Sequence, residues 1–247
     1  MRTKTFLPVL AVIVVVVAAC SSAEEPAPTT TGAPTPTTTG APSTTAAAIP
    51  PASYAEFRAQ PTACGAEVPS EVVEMQFAAP EQMEVADATV VVLNTSCGPI
   101  EITINPSLAP ETVNSFVFLA QQGYFDGSAS HRILPGFMMQ AGDPTGTGLG
   151  GPGYSIPDEL PGDGFLYQRG VVAMANAGPE TSGSQFFIMF GDADWLPASY
   201  SVFGYVTGGF ATLDAIEALP LGQGPGGDSA PSTPLLSLYI ESVQING

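Results

Sequence analysis

Basic residues are scarce in this 247-residue chain, which has five lysines and arginines against 23 aspartates and glutamates. Two of the five, Arg2 and Lys4, lie at the N-terminus, so the remainder contains no lysine. Nucleic-acid binding depends on cations that neutralise phosphates, and electrostatic docking on anionic lipid depends on the same charges. The composition therefore argues against a nucleic-acid partner and is typical of a highly soluble surface.

Long hydrophobic runs are also missing, with one exception near the N-terminus. Residues 6–19 are apolar and interrupted only by Pro8, but a membrane-spanning helix needs about 20 residues. The basic start, the short apolar run and the small residues before Cys20 are typical of an export signal, and residues 17–20 (VAAC) resemble a bacterial lipobox. We expect a signal peptide over residues 1–19 and lipid on Cys20, which would anchor the protein to the cell membrane in an extracytoplasmic position. The alternative is an uncleaved anchor helix.

Cysteine is rare as well, since Cys64 and Cys97 are the two that remain after Cys20. Thiols outside the cytoplasm tend to oxidise, and an even pair suggests a disulfide. We therefore predict a Cys64–Cys97 disulfide. The alternative is two separately buried thiols.

Aromatic residues are absent from residues 21–51, which are dominated by Thr, Pro, Ala and Gly. Such a segment cannot bury enough apolar surface to order itself, and its proline content favours an extended spacer. The chain therefore divides into four predicted parts. These are the signal peptide over 1–19, a lipidated Cys with a disordered linker over 20–51, an N-terminal extension over 52–87 and a folded domain over 88–247.

Signatures of several enzyme classes are missing. His131 is the single histidine and no G-x-S-x-G motif occurs, which argues against a serine hydrolase. One histidine and scattered carboxylates provide no metal-ligand spacing. Residues 146–151 fit G-x-G-x-x-G, but Pro152 follows where a dinucleotide site needs a helix. We expect neither a metal nor a cofactor.

The folded domain has the pattern of a mainly β protein. Helical spacing of apolar residues predicts a helix over 110–122, with Pro110 at its first position and Gly123 as its stop, and a second helix over 210–219. Many short strands with two helices indicate a closed antiparallel barrel with helices over its ends. The predicted strands are residues 89–93, 100–104, 132–134, 137–140, 171–175, 185–190, 202–206 and 235–245.

Two long segments resemble the cyclophilin family of peptidyl-prolyl isomerases. They are residues 131–143 (HRILPGFMMQAGD) and residues 174–188 (MANAGPETSGSQFFI). Shorter matches occur in family order at residues 109–116, 195–196 and 202–204, so the resemblance covers about residues 89–246. It implies a closed eight-stranded antiparallel barrel capped by two helices, with an active groove on its outer face.

The resemblance also implies roles for individual residues. Arg132 would be the catalytic cation and Gln140 would orient it. The proline pocket would consist of Phe137, Met138, Phe187 and Leu196. The other residues implied at the substrate peptide are Ala175 and Asn176, which would offer backbone groups, and Gln185, Trp195 and Tyr200.

The chain departs from the family pattern at three positions. Ser130 stands where many members have Phe, and Ala141 stands where Gly is usual. Tyr200 falls where animal members often carry His. These positions edge the groove, so peptide preference and inhibition by cyclosporin are not implied by the resemblance.

The predicted function is catalysis of rotation about X-Pro bonds, assisting the folding of exported or surface proteins. One alternative is a chaperone or scaffold module that binds proline-containing segments without significant turnover, and another is a mainly structural envelope lipoprotein. Arg132 favours catalysis because binding alone would not need it. The expected partners are proline-containing polypeptides and, through Cys20, the membrane, and nothing in the sequence demands more than a monomer.

Overall fold

The computed structural model describes residues 51, 53–224 and 227–246. The predicted signal peptide, the lipidated Cys20 and almost all of the predicted linker lie outside this part of the chain. Within the described residues, no helix combines the length and the apolar character needed to span a membrane.

The described chain contains three α-helices, eleven strands and one 3-10 turn, at residues 63–65. The helices are α1 (Tyr54–Arg58), α2 (Pro110–Gln121) and α3 (Phe210–Glu217). The strands are β1 (Val90–Thr95), β2 (Gly98–Ile104), β3 (Ser128–Ala129), β4 (Arg132–Leu134), β5 (Met138–Ala141), β6 (Val171–Met174), β7 (Phe186–Met189), β8 (Val202–Gly208), β9 (Leu221–Gly222), β10 (Thr233–Pro234) and β11 (Tyr239–Asn246).

Nine of these strands form one antiparallel sheet in the order β3-β11-β1-β2-β8-β6-β7-β5-β4. The edge strands β3 and β4 are consecutive in the chain, and an isolated antiparallel bridge joins Ala129 of β3 to Asp143, just beyond β5. The fold is mainly β, with one curled sheet and a few helices, and this agrees with the sequence prediction. The strand number differs from the predicted eight because β3 has two residues, too few to give a periodic pattern. A separate pair, β9 and β10, forms a small hairpin.

Alternation along the strands places the core on one face of the sheet. Val91 and Leu93 of β1 and Ile100, Ile102 and Ile104 of β2 are fully buried, as expected when residues two apart share a face.

Helix α2 packs on this core and is capped from a distant loop. Pro110 occupies its first turn, where a missing N–H costs nothing. The carboxylate of Glu159 accepts hydrogen bonds from the backbone N–H groups of Glu111 (3.0 Å) and Thr112 (2.8 Å), which satisfies two free donors of the helix start. Gly123 follows the helix with φ of +70°, a left-handed conformation that glycine adopts without strain.

The extension before β1 packs along the domain. Phe77 contacts Phe118 of α2 edge to face, with ring centroids 5.0 Å apart. The hydroxyl of Tyr54 in α1 donates to the carbonyl of Gly127 at 2.6 Å. A disulfide joins Cys64 in the extension to Cys97 in the β1–β2 turn, with 5.1 Å between their Cα atoms. The extension is therefore fixed to the sheet by apolar contacts, a hydrogen bond and a covalent link.

We predict that removing this disulfide lowers the free energy of unfolding. The two cysteines are 33 residues apart, and closing a loop of that length stabilises the folded chain by about 3–4 kcal/mol in the chain-entropy model. Urea denaturation of the protein with and without reductant measures the difference. The Cys64→Ser/Cys97→Ser variant should match the reduced protein and be insensitive to reductant. Equal stability of the oxidised and reduced protein would contradict the prediction.

Candidate active site

Three neighbouring strands place polar and apolar side chains together on the sheet face opposite the core. The strand register pairs Arg132 of β4 with Gln140 of β5, and Gln140 with Phe187 of β7. The alternate residues Met139 and Ile188 point into the main core. Because side chains along a strand alternate between faces, Arg132, Gln140 and Phe187 form a row on the other side.

A cavity of about 360 Å³ lies over this row. Every predicted catalytic or substrate-binding residue except Gln185 lines this cavity. The predicted residues that line it are Arg132, Phe137, Met138, Gln140, Ala175, Asn176, Phe187, Trp195, Leu196 and Tyr200.

One half of the cavity is apolar. Met138, Phe187 and Leu196 are 2%, 5% and 8% exposed and belong to a second apolar cluster, separate from the main core. The Phe187 ring meets the Tyr200 ring edge to face at 5.4 Å between centroids. At the rim, Trp195 is 65% exposed, and its ring centroid lies 4.9 Å from that of Phe137. This half is a preformed notch that suits a small apolar ring.

The other half is polar, and a chain of hydrogen bonds fixes it. Arg132 Nη1 donates to Gln140 Oε1 at 3.2 Å, and Gln140 Nε2 donates to Gln185 Oε1 at 2.9 Å. Gln185 Nε2 in turn donates to the carbonyls of Gly148 and Gly150, at 3.0 and 2.9 Å. The predicted role of Gln140 in orienting Arg132 is consistent with this geometry.

Asp228 binds the opposite side of the same guanidinium. Its carboxylate accepts from Arg132 Nε at 2.9 Å and from Nη2 at 2.5 Å. These hydrogen bonds, together with one from Ser232, lower the pKa of Asp228 below its usual value, so it is charged at neutral pH. Sequence reasoning missed Asp228 because it lies 96 residues from Arg132 in a glycine-rich loop without periodicity.

Other cavity residues were also missed, and some predicted residues have partly different surroundings. Gly227, Ser229 and Leu134 line the cavity and were not predicted. Gln185 lines a neighbouring cavity of about 750 Å³ that shares Gln140, Ala175 and Asn176 with the first. The N–H of Ala175 donates to the carbonyl of Gln185 at 2.9 Å, so its carbonyl is the backbone group that it can offer to a ligand.

His131 precedes Arg132 in the chain and is the candidate acid or base beside it. The imidazole of His131 is desolvated by burial, which lowers its pKa to about 4, and its Nδ1 has no hydrogen-bond partner within the described chain. Among the described residues, no group of three His, Cys, Asp or Glu side chains could hold a metal ion.

Comparison with known proteins gives one family. Residues 90–244 match the model of the cyclophilin type peptidyl-prolyl cis-trans isomerase/CLD family. Peptidyl-prolyl cis-trans isomerase B of Streptomyces anulatus is 41% identical over 170 residues, which are 62% of this chain and 94% of that protein. Peptidyl-prolyl cis-trans isomerase-like 2 of Cryptococcus neoformans is 42% identical over 159 residues, 62% of this chain but 26% of that protein. The chain thus spans about a quarter of the length of that relative.

The fold comparison agrees. A crystal structure of a cyclophilin type peptidyl-prolyl cis-trans isomerase from Cryptosporidium parvum, in the presence of the dipeptide Ala-Pro, has a TM-score of 0.58 and 32% sequence identity. The match covers 64% of this chain and 99% of that chain. Since the family model covers well over half of the residues and the fold agrees with it, this chain belongs to the cyclophilin type peptidyl-prolyl cis-trans isomerase family.

Proposed function

We propose that this protein catalyses cis–trans isomerisation of X-Pro bonds in exported or surface proteins, with Arg132 as the catalytic cation. One observation carries the proposal: the Arg132 guanidinium lines the same cavity as the apolar side chains of Phe137, Met138, Phe187 and Leu196. The Ala-Pro dipeptide present with the Cryptosporidium relative supports a proline-containing substrate.

The chemistry requires a donor aimed at the proline nitrogen. An X-Pro bond rotates slowly because its C–N bond has partial double-bond character, with a barrier of about 18–20 kcal/mol. At the twisted midpoint the lone pair returns to the nitrogen, where a fixed donor stabilises the midpoint more than either planar state. Arg132 is permanently charged and is held by Gln140 and Asp228, so it supplies such a donor with little reorganisation.

The apolar half would hold the proline ring. Met138, Phe187 and Leu196 are buried in an apolar cluster of the protein itself, so binding orders few side chains. Enclosing the X-Pro bond in the cavity also removes water from the amide, whose planar, charge-separated form is favoured by water.

No proton transfer and no cofactor is needed for this reaction. Each tenfold acceleration requires about 1.4 kcal/mol of preferential binding to the midpoint.

We also propose that the protein works outside the cytoplasm as a lipoprotein anchored through Cys20. The export-signal pattern of residues 1–20 supports this location. The Cys64–Cys97 disulfide supports it independently, because such bonds persist in oxidising compartments. Exported and surface proteins would then be the available substrates.

Replacing Arg132 by Ala should lower turnover by about two orders of magnitude, because the midpoint then loses a charged hydrogen-bond donor. NMR exchange on a short Ala-Pro peptide measures the rate, and circular dichroism checks the fold. Arg169→Ala is the matched control, since Arg169 pairs with Asp214 and does not line the cavity. Unchanged turnover in Arg132→Ala would refute the catalytic role. Retained peptide binding with negligible turnover in the unmodified protein would favour the chaperone or scaffold function instead.

Turnover should be nearly constant from pH 6 to 9. With its pKa lowered to about 4, His131 stays neutral over this range, and Arg132 keeps its charge. Below pH 6 the free energy of unfolding should fall, because the histidine of the unfolded chain binds a proton from its ordinary pKa of 6.5 downwards whereas the buried His131 binds one only near pH 4. A loss of turnover is therefore expected only on the acid side of pH 6. The rate on the same peptide across this range measures the profile. A midpoint near 6.5 would instead implicate His131 as a base.

Replacing Cys20 by Ser should abolish lipid attachment. Expressed in a bacterial host with labelled palmitate, the unmodified chain should take up label and sediment with membranes. The Cys20→Ser variant should take up none, and Ser21→Ala should behave like the unmodified chain. Membrane association of an unlabelled chain that keeps its N-terminal residues would support the uncleaved anchor helix instead.

A further inference from the structure

Asp228 binds the guanidinium of Arg132 through two hydrogen bonds, one to each oxygen of its carboxylate. Oδ2 accepts from Nε at 2.9 Å and Oδ1 accepts from Nη2 at 2.5 Å. This two-point geometry fixes the plane of the guanidinium as well as its position. The Asp228 side chain is 8% exposed and that of Arg132 is 28% exposed, so the carboxylate is the more enclosed partner of the pair.

The carboxylate is itself held by Ser232, which is hydrogen-bonded to the strand that carries Arg132. Ser232 Oγ donates to Asp228 Oδ2 at 2.5 Å. The backbone carbonyl of Ser232 accepts from the N–H of Ile133, next to Arg132, at 2.8 Å. Ser232 is fully buried and lies immediately before strand β10 of the β9–β10 hairpin. A Cβ on Gly224 would lie 2.1 Å from Ser232 Oγ, so the backbone of Gly224 approaches this serine closely.

Among the residues that the structure describes, these contacts leave two donors of Arg132 without a partner and so available to a substrate. A guanidinium has five N–H bonds. Asp228 takes two of them and Gln140 takes one. The two remaining N–H bonds are one on Nη1 and one on Nη2. Their nitrogens are fixed because Nη1 also donates to Gln140 and Nη2 also donates to Asp228.

We propose that Asp228 is a positioning residue, which holds the guanidinium of Arg132 in the orientation that isomerisation needs. The inference rests on the catalytic role proposed above for Arg132. A free arginine side chain has a large rotamer entropy that must be lost each time it binds the twisted amide. With Asp228 and Gln140 in place, much of that ordering is completed by folding, and this is the preorganisation on which electrostatic catalysis depends.

The test compares Asp228→Ala and Asp228→Asn in the full chain, each with and without Arg132→Ala. Asp228→Ala should lower kcat about tenfold with KM changed less than about twofold, since misplacing a catalytic group costs rate more than binding. Asp228→Asn keeps the shape and one acceptor oxygen, and should lose less. With Arg132→Ala already present, Asp228→Ala should cause no further loss, because both residues act through one group.

Two further variants separate positioning from a general structural effect. Asp214→Ala breaks the Arg169–Asp214 ion pair (2.6 Å), which lies outside the cavity, and should leave turnover unchanged. Ser232→Ala removes the support of Asp228 alone and should lower kcat less than Asp228→Ala does. Thermal unfolding is measured for every variant. If Asp228→Ala does not fold, the near-isosteric Asp228→Asn variant decides.

Three results would overturn the inference. Higher turnover in Asp228→Ala would mean that the carboxylate restrains Arg132. An equal loss with and without Arg132→Ala would mean that Asp228 acts only through the fold. Full turnover in the Asp228 variants beside a loss in Arg132→Ala would refute positioning while leaving the proposed function intact. Full turnover in Arg132→Ala itself would instead refute the catalytic assignment on which the inference rests.

Discussion

The site depends on one guanidinium held between an acidic and an amide acceptor at the edge of an apolar notch. Partly burying a charge is costly unless hydrogen bonds compensate it. Asp228 and Gln140 provide that compensation for Arg132. The other described arginines are also engaged: Arg58 donates to the carbonyl of Pro69, and Arg169 pairs with Asp214. Of these three arginines, only Arg132 lines the cavity that contains the apolar rings.

The extension contributes to the neighbouring part of the groove. Gln76 Nε2 donates to the carbonyl of Gly151 at 2.9 Å, and the N–H of Phe77 donates to the carbonyl of Pro152 at 2.8 Å. The loop formed by residues 148–153 lines the larger cavity and contains the carbonyls of Gly148 and Gly150 that hold Gln185. Because Gln185 contacts Gln140 and Gln140 contacts Arg132, the extension bears indirectly on the polar half of the site.

The sequence predicted what local rules control and missed what long-range contacts control. The start of α2 at Pro110 and its stop before Gly123 follow from residues with strong positional preferences. Strand β4 was predicted at the observed bounds, but the two-residue strands β3, β9 and β10 are too short to be periodic. Helix α1 has five residues, with Ser53 as its N-cap and Phe57 as its buried side chain, and one apolar residue gives no periodic pattern.

The site divides in the same way. Residues such as Phe137 and Gln140 lie in contiguous motifs, so the family resemblance could place them. Asp228 is brought to Arg132 by the β9–β10 hairpin, in which Ser232, just before β10, accepts a backbone hydrogen bond from Ile133. One carboxylate among 23 acidic residues carries no distinguishing local signal.

Neutralising the cation that we propose as catalytic looks disadvantageous, but rotation about an amide creates no net charge. It moves electron density back to the proline nitrogen, so a directed donor is needed more than a free positive charge. In a chain with 23 acidic residues, an unpaired arginine would also attract carboxylates other than Asp228. The Asp228 carboxylate, bonded to Nε and Nη2, removes that competition while Arg132 still lines the cavity. Pairing with Asp228 therefore allows Arg132 to lie in the cavity of a protein whose surface is strongly acidic.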